Sequence, residues 1–305
     1  MGRGFRDLGA QLSNWGRFGP DDERGTLNHI TAEAIAAAAA SVRDGKVFEL
    51  AIPIDSTTPQ PGNLRAAPVH LMSETGEGQD FRGGFRYADD YVFMALQAAT
   101  QWDALCHVWY DERLYNGFEA AETSVRGARR CSIDKLTGGV VGRGVLLDAP
   151  RHLGLAWLER GQQIGPAELD AMVAAQDVEL VAGDVLLLRT GWWLRYCTEG
   201  ATKEVMSGEP GLSLEAATWL AEHRIAAVAA DNYAVEAIPP EDRSAVLALH
   251  LVLIRDLGMT LGEMFDLEEL AADCAADGRW SFLLCAARLP FSGAAGSPTA
   301  PLALK

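Results

Sequence analysis

Two apolar runs, Val185-Leu-Leu-Leu-Arg189 and Ile225-Ala-Ala-Val-Ala-Ala230, set the frame of this chain. A short, uninterrupted apolar stretch bounded by turn residues reads as a strand covered on both faces. The first run is entered through Ala182-Gly183-Asp184 and the second ends at Asp231-Asn232. Between them Ser213 predicts the N-cap of a helix running to about Arg224, and ahead of them Pro166 opens a helical pattern through Ala175. Upstream, Thr31 predicts the cap of an Ala-rich helix to about Val42, stopped by Gly45 and followed by a strand over Val47 to Ile54. Residues 58–88 then read as a long Pro- and Gly-rich loop, of the kind that tends to be functional. Downstream, an apolar run from Ala245 to Leu257 carries His250 and stops at Gly258, Asp266 caps a helix through about Ala275, and Phe282 to Leu289 reads as a strand. The mixture predicts an α/β or α+β fold, and without an internal repeat or linker it predicts one domain over residues 1–305. Residues 1–30 form its N-terminal arm, irregular from the Gly, Asp and Asn content of 12–30.

One segment breaks from these ordinary patterns. In Gln97-Ala-Ala-Thr-Gln-Trp-Asp-Ala-Leu-Cys-His107 the odd positions carry Gln97, Gln101, Asp103 and His107, while Ala98, Trp102, Ala104 and Cys106 alternate with them. Period two is that of an extended segment with one polar face. A solvated strand would alternate too, but with Lys, Glu, Thr or Ser rather than this series of amides, acid and imidazole. Fully extended, Asp103 and His107 would stand roughly 13 Å apart, too far to share a metal with bonds of about 2 Å. The chain is therefore expected to turn near Ala104-Leu105, making the pair i,i+4 neighbours.

Composition narrows the partners. The 305 residues are 49% hydrophobic, enough for a sizeable core, and the formal charge of −16 argues against nucleic acid or an anionic membrane, leaving a small molecule as the expected substrate. Five scattered cysteines without a CxxC signal neither a disulfide framework nor a zinc knuckle, which fits a reducing cytoplasm. The N-terminal stretch lacks a signal-peptide core, and no run approaches the roughly 18 apolar residues of a membrane span.

Asp103, His107, His250 and Glu263 are the candidate catalytic and metal-ligating set, since Asp, Glu and His are the donors that zinc or manganese accepts. His250 sits among leucines, where a hydrogen-bonded core histidine is the commoner outcome. Buried there it needs a partner, and Glu263 is the nearest acid after Asp256. Gln97, Gln101, Trp102, Trp109, Tyr110, His70 and Asn232 are candidate substrate contacts, with core packing, surface exposure or turn capping as the plainer alternatives. Cys106 falls on the apolar face of its strip, which disfavours a thiol nucleophile. HExxH, Gly-x-Ser-x-Gly, P-loop and strand-following GxGxxG motifs are absent.

Together these residues resemble the cyclase family that includes bacterial kynurenine formamidase and isatin hydrolase, whose signature is His-x-Gly-Thr-His-x-Asp-x-Pro-x-His. Over 97–107 this chain matches it at Thr100, Asp103 and His107 and departs at Gln97, Ala99, Gln101 and Leu105. His250 and Glu263 look like the family's downstream ligands, on either side of a helix. The likeness extends over Ser13-Asn-Trp-Gly, Gly142-Arg-Gly-Val-Leu-Leu-Asp148, Asp231-Asn232 with Glu236, and Gly296-Ser-Pro298.

The resemblance implies a swivelling β/β/α-type domain with a mixed central sheet or barrel and surrounding helices. It also implies a homodimer or homotetramer, and one divalent metal, zinc or manganese, at a site that hydrolyses an amide. In relatives the first two signature histidines and the Asp hold one metal, and the last His with the downstream His and Glu can hold a second. With Gln in place of both first histidines, three outcomes stay open: one metal on Asp103, His107, His250 and Glu263, a weakened site helped by Gln101, or no metal. The leading expectation is a hydrolase of the C–N bond in a small cyclic amide or N-acyl or N-formyl substrate. A metal-independent acid/base enzyme (cyclase, lactonase or dehydratase) and a non-catalytic ligand-binding homologue are its rivals.

Overall fold

In the computed structural model, which describes residues 4–61, 65–240 and 242–305, the two apolar runs lie side by side. Val185–Arg189 and Ala227–Ala230 are wholly buried and pair in parallel from Ala227↔Val185 to Ala230↔Leu188. Val140–Asp148 joins in parallel on one side, Gly144 opposite Val185, and Thr260–Glu263 on the other, Thr260 opposite Ala227. Antiparallel strands extend both flanks. Ser281–Ala286, Leu302–Leu304 and Val47–Glu49 follow Val140–Asp148, while Gln101–Asp103 and Gly296–Pro298 follow Thr260–Glu263. The result is a nine-stranded mixed sheet with helices packed on it, among them Ala32–Ala40 and Pro166–Ala175 against Val140–Asp148. This is the mixed α/β, swivelling β/β/α-type architecture that the resemblance implies.

Local rules held where the cap was local. Thr31 Oγ1 accepts from Ala34 N at 3.2 Å and opens the Ala-rich helix, and Glu168 closes the turn after Pro166 by accepting from Gly165 N at 3.0 Å. Gly258, at φ +72°, ends the apolar run carrying His250, and a Cβ there would stand 2.3 Å from the Tyr115 ring. That run opens as Ala248–His250 and continues as a π-helix over Leu251–Leu257.

Four expectations are corrected. The N-terminal arm is not irregular throughout, because Phe5–Leu12 is a helix whose Phe5 and Leu8 are buried, packed on Leu251–Leu257. The spacing Phe5, Leu8, Leu12 carries that signal, hidden by flanking glycines. Residues 58–88 are not one loop: Val69–Thr75 pairs with Ala88–Phe93 as an antiparallel hairpin, and the Gly-rich stretch between is its connection. Ser213 does not cap the next helix with its side chain. A turn intervenes, in which Ser213 O accepts from Ala216 N at 3.2 Å, and the helix is Ala216–Glu222. The strand over Val47 to Ile54 pairs only across Val47–Glu49, followed by a lone bridge at Ala51.

Candidate active site

The register between two short strands assembles the site. Gln101 lies opposite Glu263 and Trp102 opposite Gly262, so Gln101, Asp103 and Glu263 share one face while Trp102 points to the other. On that other face Trp102 packs edge-on against Phe265 at 5.4 Å. Gly262 is required there, since a Cβ would come within 2.7 Å of both the Trp102 ring and Ala229 Cβ. Thr100 stitches the strip in place, its Oγ1 accepting from Ile52 N at 2.9 Å and donating to Met264 O. On the polar face the Gln101 amide donates to Glu263 Oε2. Both Asp103 carboxylate oxygens are buried without a hydrogen-bond partner, as is Gln101 Oε1.

His250 reaches this face from the apolar run. Its Nε2 stands 3.2 Å from Glu263 Oε1 and 3.9 Å from Asp103 Oδ2, and its Nδ1 lies 2.8 Å from Glu236 Oε1. Glu236 also accepts from the backbone N–H groups of His250 at 2.8 Å and Leu249 at 3.2 Å. It belongs to the turn that follows the buried strand Ala227–Ala230, the end of a parallel sheet where ligands gather. That turn holds Val235 at φ +61°, unfavourable for a β-branched residue, with its N–H donated to Asn232 Oδ1 at 2.9 Å.

Proton affinities follow from this packing. Burial, and then the neighbouring Glu263 charge, push Asp103 well above the usual carboxylate range against the pull of His250 and Arg65. Burial would lower His250, but hydrogen bonds to Glu236 and Glu263 outweigh it and raise the imidazole to about 10. His107 is driven down to about 3, by burial first and then by the charges of His250 and Arg65, and is neutral.

The strip does curl after Asp103. His107 N donates to Ala104 O at 2.9 Å, and His107 Nε2 comes to 3.8 Å from Asp103 Oδ1. His107, His250 and Glu263 line a pocket of about 280 Å³, together with Gln97, Arg65 and an apolar wall that includes Met206, Val246 and Leu247. Residues 59–61, at the start of the stretch read as a loop, supply part of its rim.

The sequence candidates therefore divide. Asp103, His107, His250 and Glu263 come together, with Gln101 against them and Gln97 on the pocket wall. The other five do not line this pocket. Trp102 is in the core, because the register turns it away from Gln101 and Asp103. Tyr110 donates to Asp256 Oδ2 at 2.8 Å, and Trp109 lies beside it in a shallower groove behind His107. His70 is exposed on the hairpin, paired with Asp90 at 2.7 Å. Asn232 is buried and donates to Pro210 O at 2.6 Å, holding the turn rather than a ligand. Cys106 is buried with its thiol pushed up to about 12, mainly by burial.

Sequence reading missed Glu236 as the partner of His250, although fourteen residues separate them. It also missed Glu209, a fully buried acid held well above its usual range by burial. Its Oε2 accepts from Tyr233 N at 2.8 Å and its Oε1 has no partner. In Ser-Gly-Glu-Pro-Gly an acid reads as a solvated turn residue, so no local signal marked it.

The residues fit a divalent metal. One ligand atom each from Asp103, His250 and Glu263 lies within 4.8 Å of the others, and among the described residues the Asp103 oxygens have no hydrogen-bond partner. Glu236 on Nδ1 leaves Nε2 of His250 facing the two carboxylates, the outer-shell arrangement typical of histidine ligands. His107 is not within this three-donor set, contrary to the four-ligand expectation.

The chain resembles known proteins in sequence and fold. The family model described as Cyclase matches residues 48–237. A crystal structure described as a novel cyclase is 42% identical, with a TM-score of 0.90, over 96% of this chain and 100% of that one. Isatin hydrolase A from Ralstonia solanacearum is 19% identical with a TM-score of 0.63, covering 90% of this chain and 97% of that one. A structure described as a predicted metal-dependent hydrolase from Bacillus stearothermophilus is 16% identical with a TM-score of 0.55, covering 86% and 98% respectively. No curated protein matches by sequence. Among the described residues, no helix is long and apolar enough to cross a membrane. By the family match over residues 48–237 and the 42% identity to the solved cyclase structure, the chain belongs to the cyclase family.

Proposed function

We propose that the protein is a hydrolase that opens the C–N bond of a small cyclic amide or N-acyl substrate, in a single domain whose pocket holds one divalent metal, zinc or manganese. The observation that carries this reading is the pair of Asp103 oxygens, buried without partners and facing His250 and Glu263, an arrangement that calls for a cation. Asp103, His250 and Glu263 would hold the metal, which when bound would lower the pKa of a water and polarise the substrate carbonyl. The relatives described as isatin hydrolase and as a metal-dependent hydrolase support the class. At about 280 Å³ the pocket is at the lower end of ligand sites and suits a compact ring.

The chain's own residues supply the remaining steps. His107 lines the pocket with its Nε2 3.8 Å from Asp103 Oδ1 and takes the water's proton as the new C–O bond forms, the Asp103 carboxylate offsetting the imidazolium against its burial. The C–N bond breaks as that proton passes to the leaving nitrogen, giving a carboxylic acid and an amine. Gln97 on the pocket wall is placed to hydrogen-bond the substrate. The protein would act as a homo-oligomer, because the Val69–Thr75 and Ala88–Phe93 hairpin exposes Tyr91 at 70% and Phe93 at 78%, and a two-stranded hairpin is marginal alone.

A second reading keeps the enzyme and drops the metal. His250 between Glu236 and Glu263 already balances much of the local charge, and the Gln101 amide occupies one Glu263 oxygen. An acid/base set of His107, His250, Asp103 and Glu263 could then act alone. Elemental analysis of protein purified without chelator, paired with assays on isatin and on N-formyl anilines, separates the two. The first reading expects about one equivalent of metal, lost in Asp103→Asn together with activity. Under one tenth of an equivalent with activity intact would overturn it in favour of the second.

A further inference from the structure

Arg65 is the one arginine or lysine among the described residues that line the pocket. It is half-buried on the wall and uses one N–H, donated from Nη1 to Gln97 O at 2.9 Å. Among the described residues it makes no ion pair, although acids outnumber bases in this chain by 42 to 26. Most other arginines whose contacts are resolved here meet a carboxylate, as Arg143 meets Asp184 and Arg189 meets Asp148 and Glu268. The rest of that wall is apolar or neutral, with Met206, Ile238, Val246 and Leu247 on one side and Gln60 and Gln97 on the other.

A guanidinium presents its donors as a planar fork matched to a carboxylate, and in an apolar surround an unmatched fork loses hydration without compensation. The pocket is thus lined by Glu263 and His250, which pair with each other, and by the Arg65 guanidinium, which has no carboxylate partner among the described residues. We infer that Arg65 is a carboxylate-recognising residue, so that the ligand of this pocket bears a carboxylate held by the guanidinium while its reacting part faces His107 and Glu263. This rests on the pocket proposed above as the active site. The carboxylate is one that the substrate already bears, because the carboxyl group released by C–N cleavage forms at the reacting carbon, which faces His107 and Glu263.

Benzoate and its neutral isostere benzamide are the probes, titrated calorimetrically into the wild type, Arg65→Ala and Arg65→Lys, with and without chelator. Benzoate is expected to bind at least tenfold more tightly than benzamide. Arg65→Ala should remove that preference and leave benzamide binding within twofold, which also shows the pocket intact, while Arg65→Lys retains part of it. The preference should survive chelator, because it resides on Arg65. Equal benzoate binding by wild type and Arg65→Ala overturns the inference, and so does a preference that vanishes with chelator, since the anion would then sit on the metal. If amides are turned over, the substrate-borne carboxylate appears as a raised KM in Arg65→Ala for carboxylate-bearing amides only, and a KM unchanged for them overturns the inference. An Arg65-dependent preference without turnover of any amide would leave the carboxylate site standing and remove the hydrolase reading.

Discussion

Glu236→Gln tests whether the candidate site depends on the grip that holds His250. One buried carboxylate accepts three hydrogen bonds, from His250 N, His250 Nδ1 and Leu249 N. Glutamine keeps one acceptor oxygen, which can still serve the two His250 donors, but its NH2 replaces the oxygen that Leu249 N–H used. Leaving that buried N–H unsatisfied costs about 1–3 kcal/mol. Neutralising the acceptor weakens the two bonds to His250 from charge-assisted to ordinary strength, roughly 1 kcal/mol more. The neighbouring Val235, at φ +61°, depends on the same turn staying closed, so little relaxation is available to recover the loss. The expected destabilisation is therefore about 2–4 kcal/mol, a large share of the 5–15 kcal/mol typical of a folded domain. Urea unfolding in chelator-containing buffer at neutral pH measures it on the protein's own bonds. A midpoint shift worth under about 0.5 kcal/mol at unchanged slope would refute the reasoning, because Glu236 could then not be holding His250 by buried, charge-assisted bonds.

Two further expectations rest on different parts of the fold. In Gly262→Ala the new methyl meets the Trp102 ring and Ala229 Cβ, each at 2.7 Å, so overpacking should cost about 1–3 kcal/mol, and a thermal midpoint within a degree of wild type would show that the strands part freely. Partial burial opposes ionisation of Asp277, but hydrogen bonds from Lys305 and Arg279 hold its carboxyl down to about 2, below the ordinary aspartate value. Its contribution is then present above about pH 4 and lost as pH falls through 2. Discounted for its 26% exposure it is about 1 kcal/mol, so wild type and Asp277→Asn should converge in stability as pH falls from about 4 to about 2, and a constant gap would contradict the ion pair.

Much of the frame is legible in the chain because it rests on short-range physics. Val185–Arg189 is apolar throughout since both its faces are covered, and Thr31 and Pro166 mark helix starts with side chains that act within four residues. The curl after Asp103 was legible too, from the length of an extended residue against the reach of a metal bond. What the sequence could not decide was which distant groups meet. Trp102 and Asp103 are neighbours in the chain, yet the pairing with Gly262 and Glu263 sends one into the core and the other to the site. Glu236 and Glu209 read as turn acids, and only the closing of the sheet edge over them makes one a partner of His250 and the other a buried carboxyl. The sequence by itself determined the elements and the kinds of donor at Asp103, His107, His250 and Glu263, because propensity, capping and donor chemistry are properties of single residues and near neighbours. Only the tertiary structure decided that Asp103, His250 and Glu263 converge while His107 and Arg65 stand on the wall, because strand register and burial are set by contacts between segments more than a hundred residues apart.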